Sequence, residues 1–155
     1  GWRLSFVCGK SIYFRMQSLD EQRADIRALL KRLPVHPCAR QQEGQIPAIS
    51  FTKAGIIPFL PARTTENWRI LVMRPVPKTA HLGEPPLQIC KGTRMWQMPD
   101  STWADLGGTA PVPEGCVEAL IETALREGIE ELGLDLSGIT ALTDIGPAEF
   151  RSART

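Results

Sequence analysis

Apolar residues at helical spacing mark two stretches of this chain, and short apolar, β-branched runs between proline-rich segments mark several strands. Ile26, Leu29, Leu30 and Leu33 recur on one helix face, and Pro34 closes the run. Ser18-Leu19-Asp20-Glu21 precedes them in capping-box form, the serine oxygen placed to accept from a first-turn amide while Glu21 reaches back. This predicts a helix near residues 19–33, either an amino-terminal packing element or a dimerisation element of a homodimer. A second stripe, Leu120, Ile121, Ala124, Leu125, Ile129 and Leu132, predicts a helix from about Val117 to Leu132, with Gly133 as its C-terminal stop.

Strand patterns lie between the helices and after the second. Residues 54–60 form a candidate that Pro58 demotes to an edge or a bulge. Residues 68–74, Trp-Arg-Ile-Leu-Val-Met-Arg, form a stronger one. Shorter candidates are 87–90, 95–98 and 139–145, whereas 99–116 reads as irregular and rich in glycine and proline. The proline- and glutamine-bearing stretch 34–47 reads as a linker. The division expected is an amino-terminal extension over 1–47 and a second unit over 48–155. Strands flanking an amphipathic helix without regular βαβ alternation imply an α+β class or an α/β sandwich.

The bulk properties remove several classes. A net charge of +1 supplies no basic field for a nucleic-acid polymer. Hydrophobic content of 43% and charged content of 23% argue against disorder. Cys8, Cys38, Cys90 and Cys116 form no Cys-x-x-Cys pair, so a structural zinc site is not indicated and free thiols in a reducing compartment are expected. With no apolar run of membrane-spanning length and no signal-peptide pattern, a soluble cytoplasmic protein is the expectation.

The chemistry concentrates at Arg126–Leu134, Arg-Glu-Gly-Ile-Glu-Glu-Leu-Gly-Leu. On a helix, Glu127, Glu130 and Glu131 fall within an arc of about 100°. Like charges so placed repel, unless a cation sits between them. A divalent metal suits oxygen ligands of this kind.

Together with Glu118, this run resembles the signature of the Nudix hydrolases, the MutT-type pyrophosphohydrolases. Arg126, Glu127, Glu130, Glu131, Gly133 and Leu134 match, and Glu118 stands where the family has its earlier glutamate. The likeness covers roughly residues 54–145. Two positions depart from the pattern. Val112 stands at the family's leading glycine, Gly107 and Gly108 lying earlier as if four residues were inserted, and Gly128 replaces a bulky apolar residue.

The resemblance implies an α+β fold of α/β/α sandwich type, a mixed sheet with the acidic helix packed on it, and Mg²⁺- or Mn²⁺-dependent hydrolysis of the pyrophosphate linkage in a nucleoside diphosphate joined to another moiety. It makes Glu130 and Glu131 metal ligands, Glu127 a ligand or the general base, and the Gly108 carbonyl a weaker ligand candidate. Glu118 would help bind metal or position water, and Arg126 would orient a glutamate through a bidentate pair. Arg74, Lys91 and Arg94 become candidates for substrate phosphate, and Trp96 and Trp103 for stacking on a base. A spectator thiol is the stronger reading of Cys116. The 21 residues after Leu134 are too few for the strands and helix that follow this helix in the family, so a longer protein, with the C-terminal part of the fold beyond the sequence given, is expected. The alternative is a Nudix-fold module that binds a nucleotide or a protein without hydrolysing anything.

Overall fold

The computed structural model describes residues 2–7, 10–15, 17–37, 51–60, 69–74, 83, 85–107 and 112–147. It combines two α-helices with short paired strands, an α+β arrangement. Strands β1 (Trp2–Val7) and β2 (Lys10–Arg15) form an antiparallel hairpin in which Trp2 pairs with Arg15. Neither strand was expected from the sequence.

Helix α1 spans Leu19–Arg32. The Ser18 hydroxyl accepts from the Glu21 amide at 3.2 Å and the Glu21 carboxylate accepts from the Ser18 amide at 3.4 Å, so both halves of the capping box are made. Asp20 and Glu21 lie in the first turn and Lys31 and Arg32 in the last, each sign suited to its end of the helix dipole. The helix ends at Leu33, where the backbone becomes extended ahead of Pro34.

Ile26 and Leu29 of α1 form one core with Leu125 and Leu142, surrounded by Leu30, Leu33, Val35, Ile56, Ile121, Ile129, Leu136 and Ile139. Strand β3 (Val35–Pro37) runs parallel to β10 (Leu142–Asp144), near the other end of the described chain. The boundary expected at residue 47 lies outside the described residues. Residues 19–37 supply part of the core that buries the second helix.

Between these ends, β4 (Lys53–Ile56) pairs antiparallel with β7 (Cys90–Thr93), and β5 (Phe59–Leu60) with β6 (Arg69–Ile70). Pro58 separates β4 from β5, because it donates no hydrogen bond to a ladder. The strand expected over 68–74 is regular only at β6, with an isolated bridge from Met73 to Gln88. Strand β8 (Met95–Gln97) pairs with β9 (Trp103–Asp105), which lies inside the stretch expected to be irregular. Among the described residues the strands form two-stranded ladders, not one mixed sheet.

Helix α2 spans Leu120–Leu132, beginning three residues later than expected. It packs against α1 and against the β4–β7 ladder, and Thr123 to Gly128 are all buried. Gly128 makes the close approach to the ladder possible: a Cβ there would meet Ile56 Cγ2 at 3.2 Å and Leu134 Cδ2 at 3.1 Å. Gly133 closes the helix at φ 62°, a left-handed conformation suited to glycine, and the Leu134 amide returns to the Gly128 carbonyl at 3.1 Å. Among the described residues no helix is long and apolar enough to cross a membrane.

Candidate metal centre

Glu118 is the point from which the acidic helix is hung. It lies before α2, and its amide donates to the Met95 carbonyl at 2.9 Å while its carboxylate accepts from the Met95 amide at 3.0 Å. With Val117 bridged to Trp96, these contacts hold residues 117–118 extended beside β8, which is why the helix begins only at Leu120. The Glu118 side chain has no exposure.

Both Glu118 oxygens are saturated. Oε1 accepts from Thr123 Oγ1 at 2.6 Å and from Arg126 Nη2 at 2.9 Å, and Oε2 accepts from Arg126 Nε at 3.0 Å and lies 2.8 Å from Arg23 Nη2. Burial disfavours the charged carboxylate. The Arg126 and Thr123 hydrogen bonds and the Arg126 charge outweigh it, holding the group below the ordinary glutamate range. Glu118 is the residue expected to help bind metal or position water. Its carboxylate is enclosed by donors and orients Arg126.

Arg126 passes that orientation on. Beyond the bidentate pair with Glu118, Nη2 donates to the Thr93 carbonyl at 2.9 Å, and Nη1 donates to Glu127 Oε1 at 2.9 Å and Glu130 Oε2 at 3.4 Å. Burial would weaken its charge, but the Glu118 hydrogen bonds and the charges of Glu118, Glu127 and Glu130 raise its pKa further. The guanidinium is a fixed fork joining β7, the segment before α2, and the acidic face of α2.

Glu127 lies against β7, directly over Gly92. A Cβ at Gly92 would fall within the Glu127 carboxyl group, so only glycine leaves room for it. Burial, with the charges of Glu130 and Glu131, pushes the Glu127 carboxyl above the ordinary range, against the pull of Arg126. Cys90 is two residues from Gly92 and thus on the same strand face, beneath the acidic run. It is fully buried, and burial, together with the charge and hydrogen bonding of Glu131, pushes its thiol up to about 12. Glu130 and Glu131 are partly exposed, yet Glu131 Oε2 is buried without a hydrogen-bond partner.

An orphaned carboxylate oxygen beside a buried glutamate is a donor set that a hard cation would satisfy. Among the described residues, however, no three aspartate, glutamate, histidine or cysteine side chains form a group fit to hold an ion. Arg126 engages Glu127 and Glu130 instead. Gly108, the weaker ligand candidate, lies outside the described residues.

The substrate candidates divide. Arg94 is buried, with Nε and Nη2 donating to the Glu118 carbonyl at 3.0 and 2.8 Å and Nη1 to the Phe51 carbonyl at 2.9 Å. It braces the backbone at Glu118 and does not present its fork to a phosphate. Lys91 is exposed, but strand alternation directs it away from the face that Gly92 shares with Glu127. Arg74 is exposed beyond the Met73–Gln88 bridge, and Trp96 is half-buried in β8. The Trp103 ring is covered on one face by the Arg23 guanidinium, 3.4 Å from its centroid, so that face is closed to a base.

Sequence reasoning missed Arg23, Gly92 and Cys90. Arg23 stands three residues before Ile26 on the buried stripe of α1, a charged residue where the periodicity calls for an apolar one, and that was its signal. Nothing local marks Gly92 or Cys90. Comparison with known protein families, with curated proteins and with solved structures finds no match to this chain.

Proposed function

We propose that this chain is a Nudix-type hydrolase that uses Mg²⁺ or Mn²⁺ to cleave the pyrophosphate linkage of a nucleoside diphosphate joined to another moiety. The observation that carries this reading is the carboxylate face of α2. Burial first, and then the charges of Glu130 and Glu131, raise Glu127, and Glu131 Oε2 is buried without a hydrogen-bond partner. Arg126 offsets the charges of Glu127 and Glu130 from one side only, and the remaining repulsion costs stability that a second cation would relieve.

Glu130 and Glu131 would hold the ion, with Glu127 as a further ligand or as the base that takes a proton from water. Bound there, a divalent cation would neutralise phosphate-oxygen charge and lower the pKa of water. The chain's own contribution is orientation. Glu118 fixes Arg126, Arg126 fixes Glu127 and Glu130 from one side, and Gly92 admits the Glu127 carboxyl against the strand.

A metal-dependent activity screen over nucleotide sugars, ADP-ribose, dinucleoside polyphosphates and nucleoside triphosphates tests the reading. Turnover that requires the metal and disappears in Glu130→Gln and Glu131→Gln is the expected result. No turnover with any metal, together with no metal binding by calorimetry, would end it.

A second reading, a module that binds a nucleotide or protein without hydrolysis, is favoured by one feature. Arg126 occupies Glu127 and Glu130, and among the described residues no three-carboxylate group is formed. Such a module would keep its affinity for nucleotide in the Glu130→Gln and Glu131→Gln variants.

A further inference from the structure

Arg23 belongs to α1, far in sequence from the acidic run, yet it contacts the same carboxylate that holds Arg126. Its Nη2 lies 2.8 Å from Glu118 Oε2, the oxygen that also accepts from Arg126 Nε. Two guanidinium groups therefore grip one carboxylate from opposite elements. The Arg23 side chain is only 5% exposed. Trp103 of β9 covers its face, and Met95 Sδ lies 3.9 Å from Nη2.

This placement serves the fold poorly. Arg23 Nε and Nη1 are buried without a hydrogen-bond partner, Nη1 having only Glu122 Oε2 at 3.8 Å. Unpaired buried donors are destabilising, and an apolar side chain of similar size on this stripe would cover Trp103 without them. Glu118 does not depend on Arg23 for neutralisation either, since Arg126, Thr123 and the Met95 amide already address it. What Arg23 adds is a restraint. It pins Oε2 from the α1 side, so the Glu118 carboxylate cannot rotate about its terminal torsion and the Arg126 fork keeps its plane.

We propose that Arg23 is a positioning residue for the acidic face of α2, acting through Glu118 on Arg126, and that the Trp103 ring holds it in place. The candidate metal centre is thus assembled across the interface between α1 and α2. The consequence for metal affinity rests on the metal-site reading above. The positioning itself does not.

The test uses the chain as it stands, in wild-type, Arg23→Met, Arg23→Lys and Trp103→Leu forms. The first readout contains no metal: solvent exchange of the Arg126 Nε–H, followed by NMR, with the Leu125 backbone amide as an internal reference for the core. Arg23→Met is expected to speed Arg126 Nε–H exchange at least tenfold while Leu125 protection changes less than twofold. Arg23→Lys, which keeps the charge but loses the fork, should restore only part of the difference. The second readout is Mn²⁺ binding followed by electron paramagnetic resonance, expected to weaken about fivefold in Arg23→Met.

Unchanged Arg126 exchange in a folded Arg23→Met variant would overturn the proposal. So would equal acceleration at Arg126 and Leu125, which marks a general brace of the core. If Arg23→Met does not fold, Trp103→Leu releases Arg23 without removing a charge, and the same two comparisons decide. Absence of Mn²⁺ binding in the wild type, with the exchange result as expected, would overturn the metal reading and leave the Arg23 role standing.

Discussion

The Glu127 carboxyl group occupies the space that any side chain at Gly92 would need, so one glycine on β7 sets where an acid on α2 can lie. The two residues are far apart in sequence and neither position explains the other locally.

Gly92→Ala should therefore expel the Glu127 carboxyl from the strand face and strain the contact between helix and ladder. A stability loss of about 1–3 kcal/mol is expected, as for other overpacked sites. Under the proposed function, metal-dependent turnover should fall with it. Denaturant unfolding and a metal-binding isotherm check this, and a variant with wild-type stability and affinity would show that the helix yields without consequence.

Glu118 and Glu130 should behave as opposites. Glu118→Gln leaves Arg23 and Arg126 in a buried place without their shared anion, at a cost of about 3–5 kcal/mol. Glu130, whose side chain is 34% exposed, should tolerate Gln within about 0.5 kcal/mol and, under the proposed function, lose metal binding. The Glu118 pKa lies below the ordinary value of 4.5, so its contribution is present above that pH and is lost as pH falls through the lowered value. An acid titration of wild-type stability should show this loss, and Glu118→Gln should lack it.

Glu127 has the reverse sign. Its pKa is raised in the folded protein, so the unfolded chain releases its proton first and stability falls as pH rises from 4.5 through the raised value. Glu127→Gln, which can still accept from Arg126, should melt higher than wild type at neutral pH without metal. The two curves should converge below pH 4.5, and melting temperatures across a pH series would reveal a failure to do so.

Cys90 should resist alkylation in the native protein at pH 8, being fully buried and with its thiol pushed up to about 12 by burial and the Glu131 charge. Iodoacetamide labelling followed by peptide mass analysis should find Cys90 modified only after unfolding. Modification at the native rate of an exposed thiol would contradict the packing of α2 on β7.

What the sequence disclosed was local. Ser18 with Glu21, Pro34 and Gly133 mark helix ends through contacts within a few residues, and the structure has those ends. The acidic face of α2 was visible for the same reason, since helical periodicity alone brings Glu127, Glu130 and Glu131 together. The environment of that face was not visible. Glu118 was read as a member of the helix, but the Met95 carbonyl, 23 positions earlier, captures its amide and keeps it extended. Arg94 was a candidate for phosphate, and nothing local in the sequence shows that its donors go to the Glu118 and Phe51 carbonyls. Strand β9 was missed because Pro99, Asp100 and Ser101 read as loop, whereas they form the turn, with Ser101 at φ 70°, that returns the chain to β8. Pairing across such distances leaves no periodic trace.

The shared core of α1 and α2 also governs the order of assembly. Ile26 and Leu29 meet Leu125 and Leu142 only when about a hundred intervening residues have been made. The parallel pairing of β3 with β10 has the same requirement. On a ribosome, α1 would emerge capped at its amino end but with its apolar stripe uncovered, waiting for a partner near the far end of the described chain. Contacts of such high sequence separation form slowly. The nascent chain is therefore at its most vulnerable to chaperone capture or aggregation before residue 125 appears, and its late folding is set by where the second helix was placed in the sequence.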